Sequence, residues 1–199
     1  MTVQAMKPVR REIEARQSYQ EYRADLRADF HGCCGYCDDS DERADPICFH
    51  IDHFAPKKKF PALATAYQNL VYACRFCNMH KSNKWIGNDA ARHHDGEEGF
   101  VDPCSADYEE HLERDDQGRI VGKTMLGCYI ARELNLNLLR HQLLWQARRA
   151  RALRAEIEPL IQRYQQAGLP RSDLYIDLLE RSVALSAEID RYELHAAHG

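Results

Sequence analysis

Cys34-Gly35-Tyr36-Cys37, Ile51-Asp52-His53-Phe54-Ala55-Pro56-Lys57, Asn69-Leu70-Val71 and Cys74-Arg75-Phe76-Cys77-Asn78-Met79-His80-Lys81 follow one another between residues 34 and 81. Two Cys-x-x-Cys pairs offer four soft ligands that can meet on one tetrahedral Zn²⁺. Cys33 adjoins Cys34, but only Cys34 completes the x-x spacing to Cys37. Between Cys37 and Cys74 lie 36 residues, more than a minimal zinc ribbon needs. The excess holds an Asp-His dyad and an Asn-Leu step, so the loop closed by the knuckles carries polar chemistry. The plain alternative, four thiols that are free or disulfide-bonded, has the spacing against it.

The four blocks, in this order and spacing, resemble the HNH endonucleases, the ββα-metal nucleases. The resemblance runs from Cys34 to Trp85 and implies a fold and a set of roles. His53 is the expected general base. Asp52 and Asn78 are the expected ligands of a catalytic divalent ion, and Asn69 is expected to fix the loop and orient His53. Many relatives carry histidine where Asn78 stands. An amide oxygen there favours Mg²⁺ or Mn²⁺ over Zn²⁺ or Ni²⁺. More loosely, the chain is similar to the nuclease subunits of Septu-type bacterial anti-phage systems. That likeness implies an ATPase partner.

The residue types suit the chemistry. Phosphodiester hydrolysis needs a deprotonated water, charge neutralisation at the phosphorus and a stabilised leaving oxygen. A neutral imidazole such as His53 suits the first need. One hard cation on oxygen ligands suits the other two. A lone Asp-His pair elsewhere reads as surface decoration; inside this frame it reads as a site. His80 is an alternative ligand, but two residues from Asn78 on a helix it points about 200° away. Lys81, three residues on, shares the face of Asn78 and is expected at a substrate phosphate.

Charge points the same way. The chain has 199 residues, 44% hydrophobic, with a net charge of −4, which argues against a protein that coats nucleic acid non-specifically. Yet from Phe54 to Ile86 there are six basic residues, Lys57, Lys58, Lys59, Arg75, Lys81 and Lys84, and no acid. A basic footprint at the proposed site is what nucleic-acid binding requires. Phe60 and Trp85 are candidates to stack on bases, although Trp85 fits a core position equally well. No apolar leader and no stretch of about 18 apolar residues occurs, so a cytoplasmic protein without membrane spans is expected. Eight cysteines in such a compartment favour metal over disulfides.

Outside this segment the pattern is mostly helical. Residues 1–10 read as a loose or partner-contacting end. Tyr19, Tyr22, Leu26 and Phe30 predict one apolar face of a helix over Arg11–Phe30, with Arg16, Arg23 and Arg27 off that face. Asp38, Asp39, Asp41, Glu42 and Asp45 read as a solvated connector ended by Pro46. Ile47-Cys48-Phe49-His50-Ile51 reads as a strand, with Cys48 and His50 on the side of Asp52. His93-His94-Asp95 reads as an exposed loop. His111–Val121 reads as a hairpin turning at Gly118. A helix begins at Met125, and Asn135 or Asn137 is expected to cap the next one. There Leu139, Leu143, Ala147, Ala150, Leu153, Ile157, Leu160 and Tyr164 step by three and four. Gly168-Leu169-Pro170 is expected to break it, and Ser172 or Asp173 to cap a last helix carrying Leu174, Leu178, Val183, Leu185, Ile189 and Tyr192.

The expectation is an α+β protein. A ββα-metal core with structural zinc knuckles and an N-terminal helix fills residues 1–124, and a C-terminal helical region fills 125–199. It is expected to cut DNA with one Mg²⁺ or Mn²⁺ per site and to meet an ATPase or a second copy through its C-terminal helices. The alternatives are a ribonuclease effector and a non-catalytic zinc module that binds nucleic acid or protein.

Overall fold

The computed structural model describes residues 1–42, 48–168 and 172–198. The chain divides into two compact units, Met1–Asn137 and Leu138–Gly199.

The core of the first unit is a ββα element. Strand β1 (Phe49–His53) pairs antiparallel with β2 (Leu70–Cys74), so that Phe49 faces Cys74 and His53 faces Leu70. All five residues of β2, Leu-Val-Tyr-Ala-Cys, are buried, as a strand covered on both faces should be. Helix α2 (Arg75–Lys81) follows at once. Its N-cap is Cys74, whose sulfur accepts a hydrogen bond from the Cys77 amide at 3.5 Å. The second knuckle is therefore also the start of the helix, and metal-ligand spacing and cap geometry are one feature.

Asp45, Pro46 and Ile47, expected at the end of the connector and the start of the strand, lie outside the described residues. The expected alternation fails at the end of β1. Phe49 is buried, His50 exposed and Ile51 half-buried, but Asp52 and His53 are both buried. Both faces are covered there, by Tyr36 and Lys81 on Asp52 and by Tyr19 on His53. His50 is thus no support for Asp52.

The N-terminal region corrects two expectations. Helix does not begin at Arg11. A 3-10 turn covers Tyr19–Tyr22 and continues into α1 (Arg23–Asp29). Ser18 and Glu21 form a capping box: the Gln20 amide donates to Ser18 Oγ, and Glu21 Oε1 accepts from the Ser18 amide. That local start signal sets the helix to begin after Ser18, where the apolar face of Tyr19, Tyr22, Leu26 and Phe30 also begins. Nor are residues 1–10 loose. Val3 and Gln4 are buried, their amides donate to the Glu109 carboxylate, and Gln4 Nε2 donates to the Gly35 and Pro103 carbonyls. Arg10 donates to the Leu70 carbonyl and pairs with Asp102 at 2.9 Å. Polar anchors of this kind leave no periodic trace in a sequence.

The acidic connector is also structural. Asp38, Asp39 and Asp41 are buried. Asp41 takes a bidentate bond from Arg27, at 2.6 and 2.8 Å, and a third from the Tyr72 hydroxyl at 2.7 Å. A buried carboxylate persists only with such partners. Gly32 adopts φ 67°, a left-handed turn that glycine takes without strain. Gly35 serves packing instead, since a Cβ there would come within 2.7 Å of the Phe30 ring.

The expected hairpin forms. Strands β3 (Leu112–Arg114) and β4 (Ile120–Gly122) pair antiparallel, with Asp115 Oδ1 accepting from the Gln117 and Arg119 amides in the turn. Arg114 is buried and donates to the Cys37 carbonyl at 2.7 Å, tying this hairpin to the first knuckle. A short helix α3 (Tyr108–His111) precedes it and α4 (Met125–Glu133) follows, capped by Thr124. Helix α4 packs on β4, so the first unit runs on past residue 124 to Asn137. Asn135 ends α4 in the left-handed conformation, φ 51°, rather than capping the next helix.

The second unit is a pair of long helices, α5 (Leu139–Gln166) and α6 (Asp173–His198). Ala150, Ile157 and Ile161 pack with Tyr175, Leu185 and Ile189. Leu153, Leu160, Leu174 and Val183, expected among the contacts, are exposed. Gly168 ends α5 at φ 71°, and Ser172 Oγ accepts from the Tyr175 amide as a cap. Leu169 and Pro170 of the expected break lie outside the described residues. Among the described residues no helix is long and apolar enough to cross a membrane.

Candidate active site and metal centre

The sulfurs of Cys34, Cys37, Cys74 and Cys77 all lie within 4.8 Å of one another, and all four residues are buried. Four ligands about 2.3 Å from a tetrahedral zinc stand about 3.8 Å apart. Cys37 Sγ and Cys74 Sγ are 3.7 Å apart, far too long for a disulfide. Burial opposes ionisation of Cys34, but the neighbouring thiols donate to it and bring its pKa down; burial pushes Cys37 up. Four buried sulfurs converging on one point form a donor set shaped for a soft divalent metal. Cys33 stands outside it, as its spacing requires.

His53 sits at the end of β1, opposite Leu70. Its Nε2 lies 2.9 Å from the Ala64 carbonyl oxygen. A carbonyl only accepts, so Nε2 carries the proton and Nδ1 keeps its lone pair. The Tyr19 ring stands edge-on to the imidazole at 4.7 Å and 72°. Burial is the main cause that lowers the His53 pKa, and the positive charge of Lys57 adds to it. The imidazole is therefore held neutral, in one tautomer and one orientation.

Asp52 is buried and turned toward the interior. Its Oδ2 accepts from the Tyr36 hydroxyl at 2.6 Å and stands 3.3 Å from Lys81 Nζ. Lys81 also donates to the His53 carbonyl at 3.0 Å and has no exposed surface. Burial, the largest influence, raises the Asp52 pKa; Lys81 and Tyr36 pull it down. Lys81 thus differs from its expected role. It is spent as an internal counter-ion, because a carboxylate this deep needs a cation beside it. Both contacts use Oδ2, which leaves Oδ1 as the oxygen to offer an ion.

Asn69 closes the loop between β1 and β2. Its Oδ1 accepts from the Ala55 amide at 2.8 Å, and its Nδ2 donates to the Ala55 and Leu63 carbonyls at 3.0 and 3.3 Å. Leu63 precedes Ala64, whose carbonyl holds His53. Asn69 so reaches the imidazole through one backbone step. Asn78 is half-buried on α2, one turn before Lys81. Because Lys81 is bonded to Asp52, the Asn78 face of α2 is turned toward the end of β1. His80 is exposed and meets Asn135 instead, its Nε2 3.4 Å from the amide nitrogen.

The basic residues divide. Lys81 is buried. Lys84 pairs with Glu133 at 2.9 Å, and Lys59 donates to the Gly87 carbonyl. Lys58 and Arg75 are exposed, and Lys57 donates to the Tyr19 hydroxyl at 3.1 Å. That contact holds the Tyr19 pKa below its ordinary value. Trp85 joins an aromatic cluster with Phe54, Phe60 and His93 at ring separations of 5.3 to 5.8 Å, so packing occupies both proposed stacking residues.

Two contacts of the candidate site escaped the sequence reading, Tyr36 on Asp52 and Tyr19 on His53. Tyr36 carries a signal, being the hydroxyl-bearing side chain inside the first knuckle. Tyr19 carries none, since it reads as one more apolar residue on a helical stripe.

No match was found among curated proteins or solved structures. The family model for HNH endonucleases matches residues 34–84, the span that contains both knuckles, the dyad, Asn69 and α2. This segment is an HNH endonuclease domain, and it brings with it nuclease activity in general.

Proposed function

We propose that the protein is a one-metal endonuclease acting on DNA in the cytoplasm, with His53 as general base. The observation that carries this is the bond from His53 Nε2 to the Ala64 carbonyl. It fixes the tautomer that a base needs and leaves Nδ1 to take a proton from water. Asp52 Oδ1 and the Asn78 amide oxygen are the hard ligands to hold a divalent ion, because Asp52 has its other oxygen occupied and Asn78 rides on the helix that Lys81 draws in. An all-oxygen set of this kind suits Mg²⁺ or Mn²⁺. The bound ion supplies charge neutralisation at the scissile phosphate and the leaving oxygen. Asn69 maintains the loop carbonyl that aims His53. Zn²⁺ on Cys34, Cys37, Cys74 and Cys77 staples β2 and α2 to the first knuckle. Lys57, Lys58 and Arg75, exposed and outside the Lys84–Glu133 pair and the Lys59–Gly87 contact, are assigned to backbone phosphates.

The test is cleavage of plasmid DNA and of total RNA with Mg²⁺, Mn²⁺ or EDTA, for the wild type beside His53→Ala. The expected result is metal-dependent DNA cutting that the variant loses while keeping its zinc and its circular dichroism. Full activity in the variant would sink the mechanism, and cutting of RNA alone would reassign the substrate. A role beside an ATPase in anti-phage defence is a narrower proposal, resting on the resemblance and tested by co-purification from the native cell.

A further inference from the structure

Tyr19 lies outside the matched segment, yet it touches the proposed base. The Ser18–Glu21 capping box sets the turn that carries it. Its ring stands edge-on to His53, 4.7 Å between centroids. Lys57 Nζ lies 3.1 Å from its hydroxyl and 4.2 Å from its ring centroid. An ammonium has only donors, so the hydroxyl oxygen is the acceptor and the phenolic proton remains to be given elsewhere. Tyr19 is half-buried and Lys57 exposed, which puts both donors at the surface beside His53. Lys57 differs here from Lys81 and Lys84, because it makes no ion pair among the described residues.

We propose that Tyr19 and Lys57 form a phosphate-binding rim beside His53, which seats a phosphate of the DNA backbone next to the bond being cut. This deepens the reading of His53 as the general base and rests on it. A hydroxyl and an ammonium 3.1 Å apart can both donate to one phosphate, the charge-assisted arrangement that anions select. The same ring contact holds the imidazole from one side while the Ala64 carbonyl holds it from the other. Tyr19 therefore acts twice: its hydroxyl on substrate, and its ring as a positioning group for His53. Neither contact reads bases, so the rim serves any sequence.

Two variants separate the two roles. Tyr19→Phe keeps the ring and removes the hydroxyl; Tyr19→Ala removes both. Binding is read by fluorescence anisotropy of a labelled DNA duplex in EDTA, in a His53→Ala background, where no cutting occurs. Cleavage kinetics are read in the wild-type background. Tyr19→Phe and Lys57→Met should each weaken binding roughly tenfold, the worth of one hydrogen bond to a charged group. They should raise KM with little change in kcat, and Lys57→Met should flatten the salt dependence of binding by about one unit. The double variant should lose less than the product of the two single losses, because the two donors touch each other and share one phosphate. Tyr19→Ala should lower kcat as well. Wild-type affinity and KM in Tyr19→Phe, or strict additivity in the double variant, overturns the rim, as does a protein that binds no DNA in EDTA. Cutting that survives His53→Ala removes the base assignment, while the anisotropy still judges the rim. If Tyr19→Ala fails to fold, the other two variants decide.

Discussion

The Tyr36 hydroxyl donates to Asp52 Oδ2 across 2.6 Å of fully buried space. Tyr36 lies between Cys34 and Cys37, so the first knuckle and the proposed catalytic carboxylate are one hydrogen bond apart. Tyr36→Phe keeps the ring and leaves Oδ2 with Lys81 alone. Losing a buried donor to a charged group costs on the order of 2 kcal/mol, here as stability and as carboxylate orientation. Zinc content should be unchanged, while the Mn²⁺ concentration that gives half-maximal cleavage should rise several-fold. An unchanged metal requirement would show that Asp52 is held by its strand alone.

Removing the knuckle itself has a different outcome. Cys74 is at once a sulfur of the cluster, the last residue of β2 and the cap of α2. Cys74→Ser should lose zinc and most of its cooperative unfolding, because metal binding at such a site is folding free energy. Elemental analysis alongside a thermal melt tests this. A zinc-free variant that melts like the wild type would mean that the hydrophobic core around Leu26, Leu70 and Tyr72 suffices without metal.

The Cys104 thiol offers a check on the packing of the N-terminal segment. Burial is the main cause that pushes its pKa up to about 12, against the opposing charge of Arg10. Sign matters here: a raised thiol pKa means less thiolate, and thiolate is the reactive form. Near neutral pH the thiolate fraction falls on the order of a thousandfold below that of an ordinary cysteine. Cys128 is exposed. Alkylation of the native protein followed by peptide mass spectrometry should find Cys128 modified first and Cys104 far behind. Equal rates would mean that residues 1–10 leave the core often enough to uncover it.

What could be read from the sequence was whatever depends on spacing. Cys34-x-x-Cys37 and Cys74-x-x-Cys77 are a distance code, and they close on one point in the structure. The Ser18 start and the Asn135 stop, by contrast, depend on cap hydrogen bonds and backbone conformation that the apolar periodicity does not record, and there the helix boundaries moved. The lysines show a sharper limit. Lys57 and Lys81 look alike in a charge count, but one lies at the surface and the other is sealed beside Asp52. Burial is decided by what the rest of the chain brings over a residue, and no local pattern records that. Tyr19 illustrates the same point, since its partner His53 is 34 positions away.

Lys81 gives the most demanding prediction. Its ammonium is the cation beside Asp52, at 3.3 Å, and it is wholly buried between Phe54 and Phe100, 5.9 and 5.7 Å from their ring centres. Lys81→Met fills similar space and removes the charge. Breaking a buried pair leaves its partner uncompensated and costs about 3–5 kcal/mol, so the variant should melt well below the wild type in EDTA. If Asp52 does face a divalent ion, added Mn²⁺ should return part of the missing charge. The rise in Tm from EDTA to millimolar Mn²⁺ should then be larger in Lys81→Met than in the wild type, since the ion replaces a counter-charge that the wild type already has. Calorimetry with matched zinc content measures this directly. Equal metal-induced shifts in the two proteins would place the ion away from Asp52 and return Lys81 to a purely structural role.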